Sequence, residues 1–359
     1  MIQPPGKMTP LIRRSWIYDH LPQVPDWFVN FGHLEARKRL HNNLANRYRW
    51  EYLDNCPYCA GSELVHIANQ ERHGLPISVD LCMSCAFVFT NPRLSQDALS
   101  DLYKRDYRDI ERGDIPDIHG FMYSLQASKG ETIWGQIVRA KGEEQSLKRV
   151  ADIGCGEGGL LGWIAENNPS VQVVGFELNL AAGQYGRDRG LDVRTEFFAR
   201  GDCSFDVVTL EQVLEHMQDP AALIAEIAAA QDEGALLYVG VPGLFFYPAH
   251  YEGNFCTYLD YAHLYHFCLH TLERLVSPLG YQLVSGTEGV HAVFRRVAAP
   301  GPLTTPAVSG AAMRIFFEQE EAAFRGRGSH FRRNLRAYCR YMRLLAIHRM
   351  KHILRGTGA

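Results

Sequence analysis

The stretch from Arg149 to Ala165 constrains this chain most, because it has the pattern of a strand, a glycine turn and a helix. A short apolar run around Asp152 is followed by four glycines between positions 154 and 159. Apolar residues then recur at helical spacing. Glycines permit a sharp turn and leave bare main chain for a ligand, and the helix start adds unpaired N–H groups. The stretch predicts a ligand-binding loop, although a dinucleotide site has a similar pattern.

Two later stretches narrow the kind of ligand, and the glycine loop itself argues against a dinucleotide. The apolar run Val171–Phe176 ends in Glu177, whose carboxylate can accept hydrogen bonds from both hydroxyls of a ribose. The run Phe205–Leu210 leads directly into the sequence EQVLEHMQDP. The glycine loop itself carries Glu157, an acid at the point where two phosphates would have to sit.

The run DIGCGEG, then ELN, then FDVVTLEQVLEHMQDP, resembles the class I S-adenosylmethionine (SAM) methyltransferases from about Lys148 to Val297. Strands and helices alternate here, which predicts a Rossmann-like, doubly wound α/β sheet. The resemblance implies seven strands, the last antiparallel, with SAM at their carboxyl ends. We expect Glu177 to bind the ribose and Leu178 to flank the adenine. The full predicted cofactor set is Asp152, Gly154, Cys155, Gly156, Glu177, Leu178, Glu211 and Gln212.

Two C-x-x-C pairs form the second strong signal: Cys56 with Cys59, and Cys82 with Cys85. Four thiolates complete a tetrahedral zinc site and leave no open position, so the predicted Zn²⁺ is structural. A redox pair is the alternative, but two pairs at this spacing favour metal. The other five cysteines are scattered, and the first residues show no apolar signal segment, so we expect a reducing, cytoplasmic location.

The segment from Tyr52 to Tyr107 resembles the N-terminal zinc-binding segment of bacterial glycan and antibiotic-sugar methyltransferases. The resemblance rests on the cysteine pairs, an NPR turn ending at Arg93 and the LY…Y pattern that follows. It implies a small zinc-ribbon-like module. The predicted domains are an extension (1–50), the zinc module (51–107), a helical connector (108–148) with a helix near Ser124–Ala140, the SAM domain (149–297), and a linker with a basic helical tail (298–359).

Charge is uneven along the chain. Ten of the 37 basic residues and none of the 40 acidic ones lie from Ala322 onward. Apolar residues at a three-four spacing from Phe331 to Leu345 predict an amphipathic helix there. We favour a helix that docks on the acidic body of the protein. The second hypothesis is that the helix contacts the inner face of an anionic membrane. Nucleic acid is the least favoured partner.

Methyl transfer requires alignment of the nucleophile with the methyl group, and a hydroxyl nucleophile must also lose a proton. Histidine suits this role near neutral pH. His216 follows the predicted fourth strand and His263 the fifth. We expect His263 to act as the base, His216 to orient the substrate or helix, and His266 to support them.

The region around His263 is similar to a Tyr–x–Glu–His run of sugar C-methyltransferases, but Asp260 and Ala262 replace the tyrosine and glutamate. These departures favour O-methylation of a sugar hydroxyl on a nucleotide-linked or lipid-linked glycan, or of a related small-molecule natural product. C-methylation of a nucleotide keto-sugar remains an alternative. A zinc-containing protein that modifies or binds RNA or protein is another.

Overall fold

A computed structural model describes residues 11–12, 31–112, 115–142, 146–198, 204–251, 253–326 and 343. The strands are β1 Trp50–Glu51, β2 Leu64–Gln70, β3 Pro76–Cys82, β4 Val88–Thr90, β5 Arg93–Leu94, β6 Arg149–Ile153, β7 Gln172–Phe176, β8 Asp192–Arg194, β9 Val207–Glu211, β10 Leu236–Gly240, β11 Tyr265–His266, β12 Tyr281–Gly286 and β13 His291–Arg296. The α-helices are α1 Phe31–Asn46, α2 Gln96–Arg105, α3 Tyr107–Arg112, α4 Ile118–Ala127, α5 Gly130–Ala140, α6 Gly159–Asn167, α7 Leu180–Arg187, α8 Pro220–Ala229, α9 Tyr247–His250, α10 Phe255–Tyr258, α11 Leu269–Val276 and α12 Gly310–Gly326.

The chain divides into two compact units. The first unit comprises Met1–Pro116, Tyr247–Leu264 and Ser309–Ala359, and the second comprises Asp117–Phe246 and Tyr265–Val308. The second unit contains the glycine loop, and the first contains both cysteine pairs.

The second unit is built on a seven-stranded sheet in the order β12-β13-β10-β9-β6-β7-β8. The five strands from β10 to β8 in this order are parallel to one another. Strand β13 runs antiparallel to both of its neighbours. The predicted Rossmann-like, seven-stranded α/β architecture with a last, antiparallel strand is confirmed.

Apolar side chains from the helices cover this sheet. Helix α5 packs Ile133, Trp134 and Ile137 into a core shared with Val150 of β6 and Leu236 of β10. Burial of such side chains from water is the main favourable term in the stability of the unit. The same packing fixes where each strand ends and therefore where the polar residues at the strand ends lie.

The prediction of a single helix near Ser124–Ala140 is wrong, because the chain forms two helices in this region. Helix α4 ends at Ala127 with Ser128 as its C-cap, and α5 begins at Gly130. A Cβ on Gly130 would lie 2.4 Å from the ring of Trp163. Helix α5 therefore begins in close contact with Trp163 of α6, and a helical periodicity does not reveal that contact.

Strands β2, β3 and β4 form an antiparallel ladder in the first unit. Helix α1 is held by Asp106, whose fully buried carboxylate accepts hydrogen bonds from Arg39, Asn43 and Tyr48 at 2.6, 2.7 and 2.5 Å. Several donors offset the cost of burying this charge. One carboxylate thus joins α1 to the turn between α2 and α3.

Helix α12 belongs to the core of the first unit. Met313, Phe317 and Phe324 are buried, and the rings of Phe317 and Phe255 lie 4.9 Å apart. The linker predicted before this helix is anchored within the second unit, because Thr304 and Thr305 both donate to Glu273. The basic helix predicted from Phe331 onward falls outside the described residues, apart from position 343.

Within the part of the chain that the structure describes, no helix is both long and apolar enough to cross a membrane.

Candidate functional site

The parallel strands of the second unit end at one edge of the sheet and bring acidic side chains to it. Asp152 and Gly175 are register partners on β6 and β7, and Asp152 also pairs with Thr209 on β9. Glu177 follows β7, and Glu211 ends β9. Ligands of open α/β sheets bind at such carboxyl ends. The geometry therefore gathers three of the predicted cofactor residues at one edge.

The glycine loop joins β6 to α6 through three residues in the left-handed region. The φ angles of Gly154, Gly156 and Gly158 are 71°, 56° and 81°, a conformation that glycine adopts without steric cost. The amide of Gly154 donates to the carbonyl of Phe176 at 2.7 Å. A Cβ on Gly154 would lie 2.6 Å from a methyl group of Val213. Both backbone conformation and space therefore require glycine at position 154.

Glu177 binds the glycine loop through its carboxylate. Its Oε2 accepts from the amide of Gly156 at 2.9 Å, and its Oε1 accepts from the amide of Asn179 at 2.5 Å. A carboxylate has about four acceptor sites, so its two oxygens together can accept more than two hydrogen bonds. Leu178, the predicted adenine neighbour, is 53% exposed, so its side chain is accessible to a ligand.

Asp152 and Cys155 are buried within the same region. Asp152 is 3% exposed and accepts a 2.6 Å hydrogen bond from the Thr209 hydroxyl. Burial raises its pKa to about 7, and the negative charges of Glu211 and Glu177 add to the effect. The Cys155 thiol lies against Gly175, where a Cβ would approach its sulfur to 2.5 Å. Burial raises the pKa of this thiol, which disfavours its reactive thiolate form.

Glu211 is the centre of a polar chain at the end of β9. Lys129 Nζ donates to its Oε1 at 2.7 Å, and the Tyr238 hydroxyl donates to its Oε2 at 3.2 Å. The same hydroxyl lies 2.8 Å from Nδ1 of His291. Gln212 follows with a φ of 58°, although it is not glycine. Such outliers persist where the surroundings impose them and cluster at functional sites.

The sequence prediction missed the partners of these acids: Lys129, Thr209, Tyr238 and His291. Lys129 lies 82 positions from Glu211, so no local spacing connects them. Thr209 did offer a signal, because it is the one polar residue before Glu211 in the apolar run VVTLE. A polar residue in a buried strand needs a partner, and the neighbouring strand supplies Asp152.

The three predicted catalytic histidines are all buried, but they are divided between the units. His216 ends a short 3₁₀ turn in the second unit, where its Nε2 lies 3.7 Å from Oε1 of Glu215. His266 lies on β11, also in the second unit. His263 belongs to the first unit, where its carbonyl accepts a 2.7 Å hydrogen bond from the Thr90 hydroxyl. Their roles stay predictions.

The four cysteines of the two pairs come together in the first unit. Their sulfur atoms all lie within 4.8 Å of one another, with Cys56 to Cys85 and Cys59 to Cys82 both at 3.6 Å. A tetrahedral zinc with bonds of about 2.3 Å separates its sulfurs by about 3.8 Å. The cluster therefore has the size of a four-thiolate zinc site.

The backbone around the cysteines repeats in the two pairs. Ala60 and Ala86, each directly after the second cysteine of its pair, have φ angles of 59° and 63°. Their amides donate to the carbonyls of Cys56 and Cys82, both at 2.9 Å. A hydrogen bond from Cys85 lowers the pKa of Cys56 to about 5, whereas burial raises the pKa of Cys82. A bound cation would favour the thiolate form of all four.

Comparison with known proteins agrees with this geometry. Residues 129–286 match the model of a family described as a methyltransferase domain. A segment of 101 residues is 40% identical to a ubiquinone biosynthesis O-methyltransferase of Hahella chejuensis, covering 25% of this chain and 42% of that protein. Another, of 104 residues, is 29% identical to a tRNA (guanine-N(7)-)-methyltransferase of Meyerozyma guilliermondii, covering 29% of this chain and 38% of that one. The chain thus spans about two fifths of these relatives.

Among solved structures, the chain is similar to SAM-bound CalS10, an amino pentose methyltransferase from Micromonospora echinaspora. The TM-score is 0.38 at 16% identity, over 49% of this chain and 96% of that one. The part of the chain that matches the methyltransferase family model, residues 129–286, carries the glycine loop, Glu177 and Glu211.

Proposed function

We propose that this protein is a SAM-dependent methyltransferase. The observation that carries the proposal is the carboxylate of Glu177, which hydrogen-bonds the glycine loop of a methyltransferase domain from the end of the neighbouring strand. A carboxylate at this strand end can accept hydrogen bonds from ribose hydroxyls, and it lies beside bare main chain. Exposed Leu178 next to it offers an apolar surface for a base.

Bound SAM would supply a methyl group that is already activated by its sulfonium charge. The chain has to supply binding and alignment. Glu177 would hold the ribose, and the loop near Gly154 and Gly156 would lie against the methionine part. The carboxylate of Glu177, with Asp152 and Glu211 at the same edge, offers partners for the sulfonium and ammonium groups of such a ligand.

For the metal, we propose one structural zinc on Cys56, Cys59, Cys82 and Cys85. The sulfur spacing and the two matching turns support it. Four protein ligands leave no position for a substrate, so the ion would stabilise the module and take no part in methyl transfer. In a small module metal ligation contributes directly to folding.

As acceptor, we propose a hydroxyl group of a sugar on a nucleotide-linked or lipid-linked glycan, or of a related natural product. The replacement of the tyrosine and glutamate around His263 by Asp260 and Ala262 argues against carbon methylation. The relative from Hahella chejuensis is an O-methyltransferase by name, which is consistent with oxygen as the methylated atom. The named acceptors of the relatives differ, so the substrate class rests on the sequence argument.

The test is direct. Titration calorimetry on the zinc-loaded chain should show SAM binding, and S-adenosylhomocysteine should be released during incubation with nucleotide sugars or glycolipids. Bulk tRNA and protein extracts serve as matched alternative acceptors. Absence of SAM binding by folded protein would contradict the activity itself. Turnover with tRNA but not with any glycan would replace only the acceptor.

A further inference from the structure

The glycine loop is held from outside by helix α4, through a residue that the sequence patterns did not single out. Gln126 lies one residue before the end of α4. Its Oε1 accepts a 3.0 Å hydrogen bond from the amide of Gly159, the first residue of α6. Its Nε2 lies 3.5 Å from Oε2 of Glu157. One amide side chain therefore contacts both the helix start and the acid of the loop.

Glu157 directs its carboxylate toward the same helix. The residue is 1% exposed, and Nδ1 of His119 lies 2.9 Å from its Oε1. Its two oxygens are therefore each met by a side chain of α4, from Gln126 and from His119. A buried carboxylate is costly unless hydrogen bonds satisfy it, so this acid ties the loop to α4.

Close packing reinforces the tie. A Cβ on Gly156 would lie 2.3 Å from Nε2 of Gln126, and a Cβ on Gly159 would lie 2.1 Å from the carbonyl oxygen of Tyr123. The approach of α4 thus leaves no room for a side chain at Gly159, and a side chain at Gly156 would displace the amide of Gln126. Gln126 also accepts from the amide of Gly159 at the start of α6. Phosphate-binding loops leave such amides available for an anion.

We propose that Gln126 is a positioning residue of the cofactor site, which fixes the glycine loop so that Gly156 can hold Glu177. The inference rests on the proposed binding of SAM. Three contacts link Gln126 to Glu177. Gln126 fixes Gly159 and Glu157, which follow Gly156 in the loop. The amide of Gly156 in turn donates to Glu177 at 2.9 Å. Gln126 does not need to contact the ligand itself. It reduces the freedom of a glycine-rich loop that would otherwise have to be ordered upon binding.

An exchange of the two side chains tests this pair. In Gln126→Glu, two carboxylates face each other, and we expect SAM affinity to fall about ten- to hundredfold, the range for an unsatisfied buried group. Glu157→Gln alone places two amide donors together and should also weaken binding. The double variant Gln126→Glu/Glu157→Gln restores all three contacts. The new carboxylate at position 126 can accept from the amide of Gly159 and from the new side-chain amide at position 157. The oxygen of that side-chain amide can still face His119. The affinity of the double variant should return to within about threefold of wild type, because residues in contact show coupled effects whereas the effects of distant residues add.

Ser124→Glu is the matched control, since it adds the same charge to an exposed position of α4. Melting temperatures without SAM separate loss of fold from loss of loop geometry. Should Gln126→Glu fail to fold, Gln126→Ala removes both contacts without adding charge and should still weaken SAM about tenfold. The inference is overturned if either Gln126 variant binds SAM like wild type, or if the double variant binds no better than the weaker single one. Wild-type protein that binds no SAM would overturn the proposed function and this inference together.

Discussion

The hydroxyl of Thr209 donates a 2.6 Å hydrogen bond to Oδ1 of Asp152 across the β6–β9 ladder. The acid is 3% exposed and lies near two further carboxylates, Glu177 and Glu211. A single hydroxyl does not offset burial in this environment, and the pKa of Asp152 is raised to about 7. The fold thus places an acid where its charged form is disfavoured, a pattern typical of functional sites.

Asp152→Asn should therefore stabilise the protein at alkaline pH. An acid whose pKa is raised by folding binds more protons in the folded state than in the unfolded state. The free energy of unfolding therefore falls as pH rises from about 3.9, the pKa of the unfolded state, through about 7, the pKa of the folded state. Asparagine removes this loss. Urea unfolding should show a gain at pH 8 that shrinks toward pH 4, while SAM affinity falls. The exposed Asp232→Asn is the control, and an equal gain for it at pH 8 would contradict the assignment.

The parallel architecture and the cysteine cluster were predictable because their signals are local. Strand β6, its glycines and α6 are contiguous, and each cysteine pair defines its own turn. The Lys129–Glu211 ion pair and the contact of Gln126 with Gly159 were not, because they join segments brought together only by packing of α4 and α5 on the sheet. The break at Ser128 was not predicted either, because the contact of Gly130 with Trp163 just after it joins segments that are distant in the sequence.

Glu177→Ala should weaken SAM by about 1–3 kcal/mol, because a charge-assisted pair of bonds to the ribose is lost. The variant also releases the Gly156 amide, so Glu177→Gln, which can still accept one bond from that amide, should lose less. Calorimetry measures both affinities. Glu166→Ala, an exposed acid on α6, is the matched control. Unchanged SAM affinity in Glu177→Ala would remove this residue from the site.

One zinc per chain should be present in freshly purified, reduced protein. Cys85→Ser should lower the zinc content and the melting temperature together, because the ion stabilises a module with little core of its own. Cys256→Ala changes another buried cysteine of the first unit and should retain the metal. Elemental analysis supplies the measurement. A metal content that does not differ between Cys85→Ser and wild type would refute the ligand set.

Thr305→Val should destabilise the second unit near neutral pH. Burial alone would raise the pKa of Glu273, but hydrogen bonds from Thr305 and Thr304 outweigh it and hold the pKa below its usual value. A depressed folded pKa contributes stability that is present above about 4.3, the unfolded pKa, and is lost as pH falls through the lower folded pKa. We expect a cost of about 1–3 kcal/mol at pH 7.

Urea unfolding across a pH series checks this sign. The difference between wild type and Thr305→Val should diminish as the pH falls from 6 toward 3. Thr287→Val alters an exposed threonine of the same unit and should behave like wild type throughout. A difference that grows on acidification would mean that Glu273 is not the group concerned.

We expect His263 to be the proton acceptor of the reaction. Transfer to a sugar hydroxyl requires alignment and a base near the methyl group, and a positioned general base contributes about 10²–10⁴-fold. His263 follows β10 and is buried, and its backbone is held by the Thr90 hydroxyl through the carbonyl oxygen, which an alanine retains. His263→Ala should therefore lower turnover by about that factor while folding and SAM affinity stay close to wild type. His216→Ala should cost less, because its expected role is orientation.

The exposed His41→Ala on α1 provides the control for loss of an imidazole. Single-turnover rates on the true acceptor are the required measurement, because product release can mask a slower chemical step. If His263→Ala retains the wild-type rate, the base lies elsewhere, and His216 or His266 is tested next. If both His263→Ala and His216→Ala stay active, the reaction needs neither histidine as a base. An acceptor that is already anionic, or a carbon acid, would then account for the chemistry better than a neutral sugar hydroxyl.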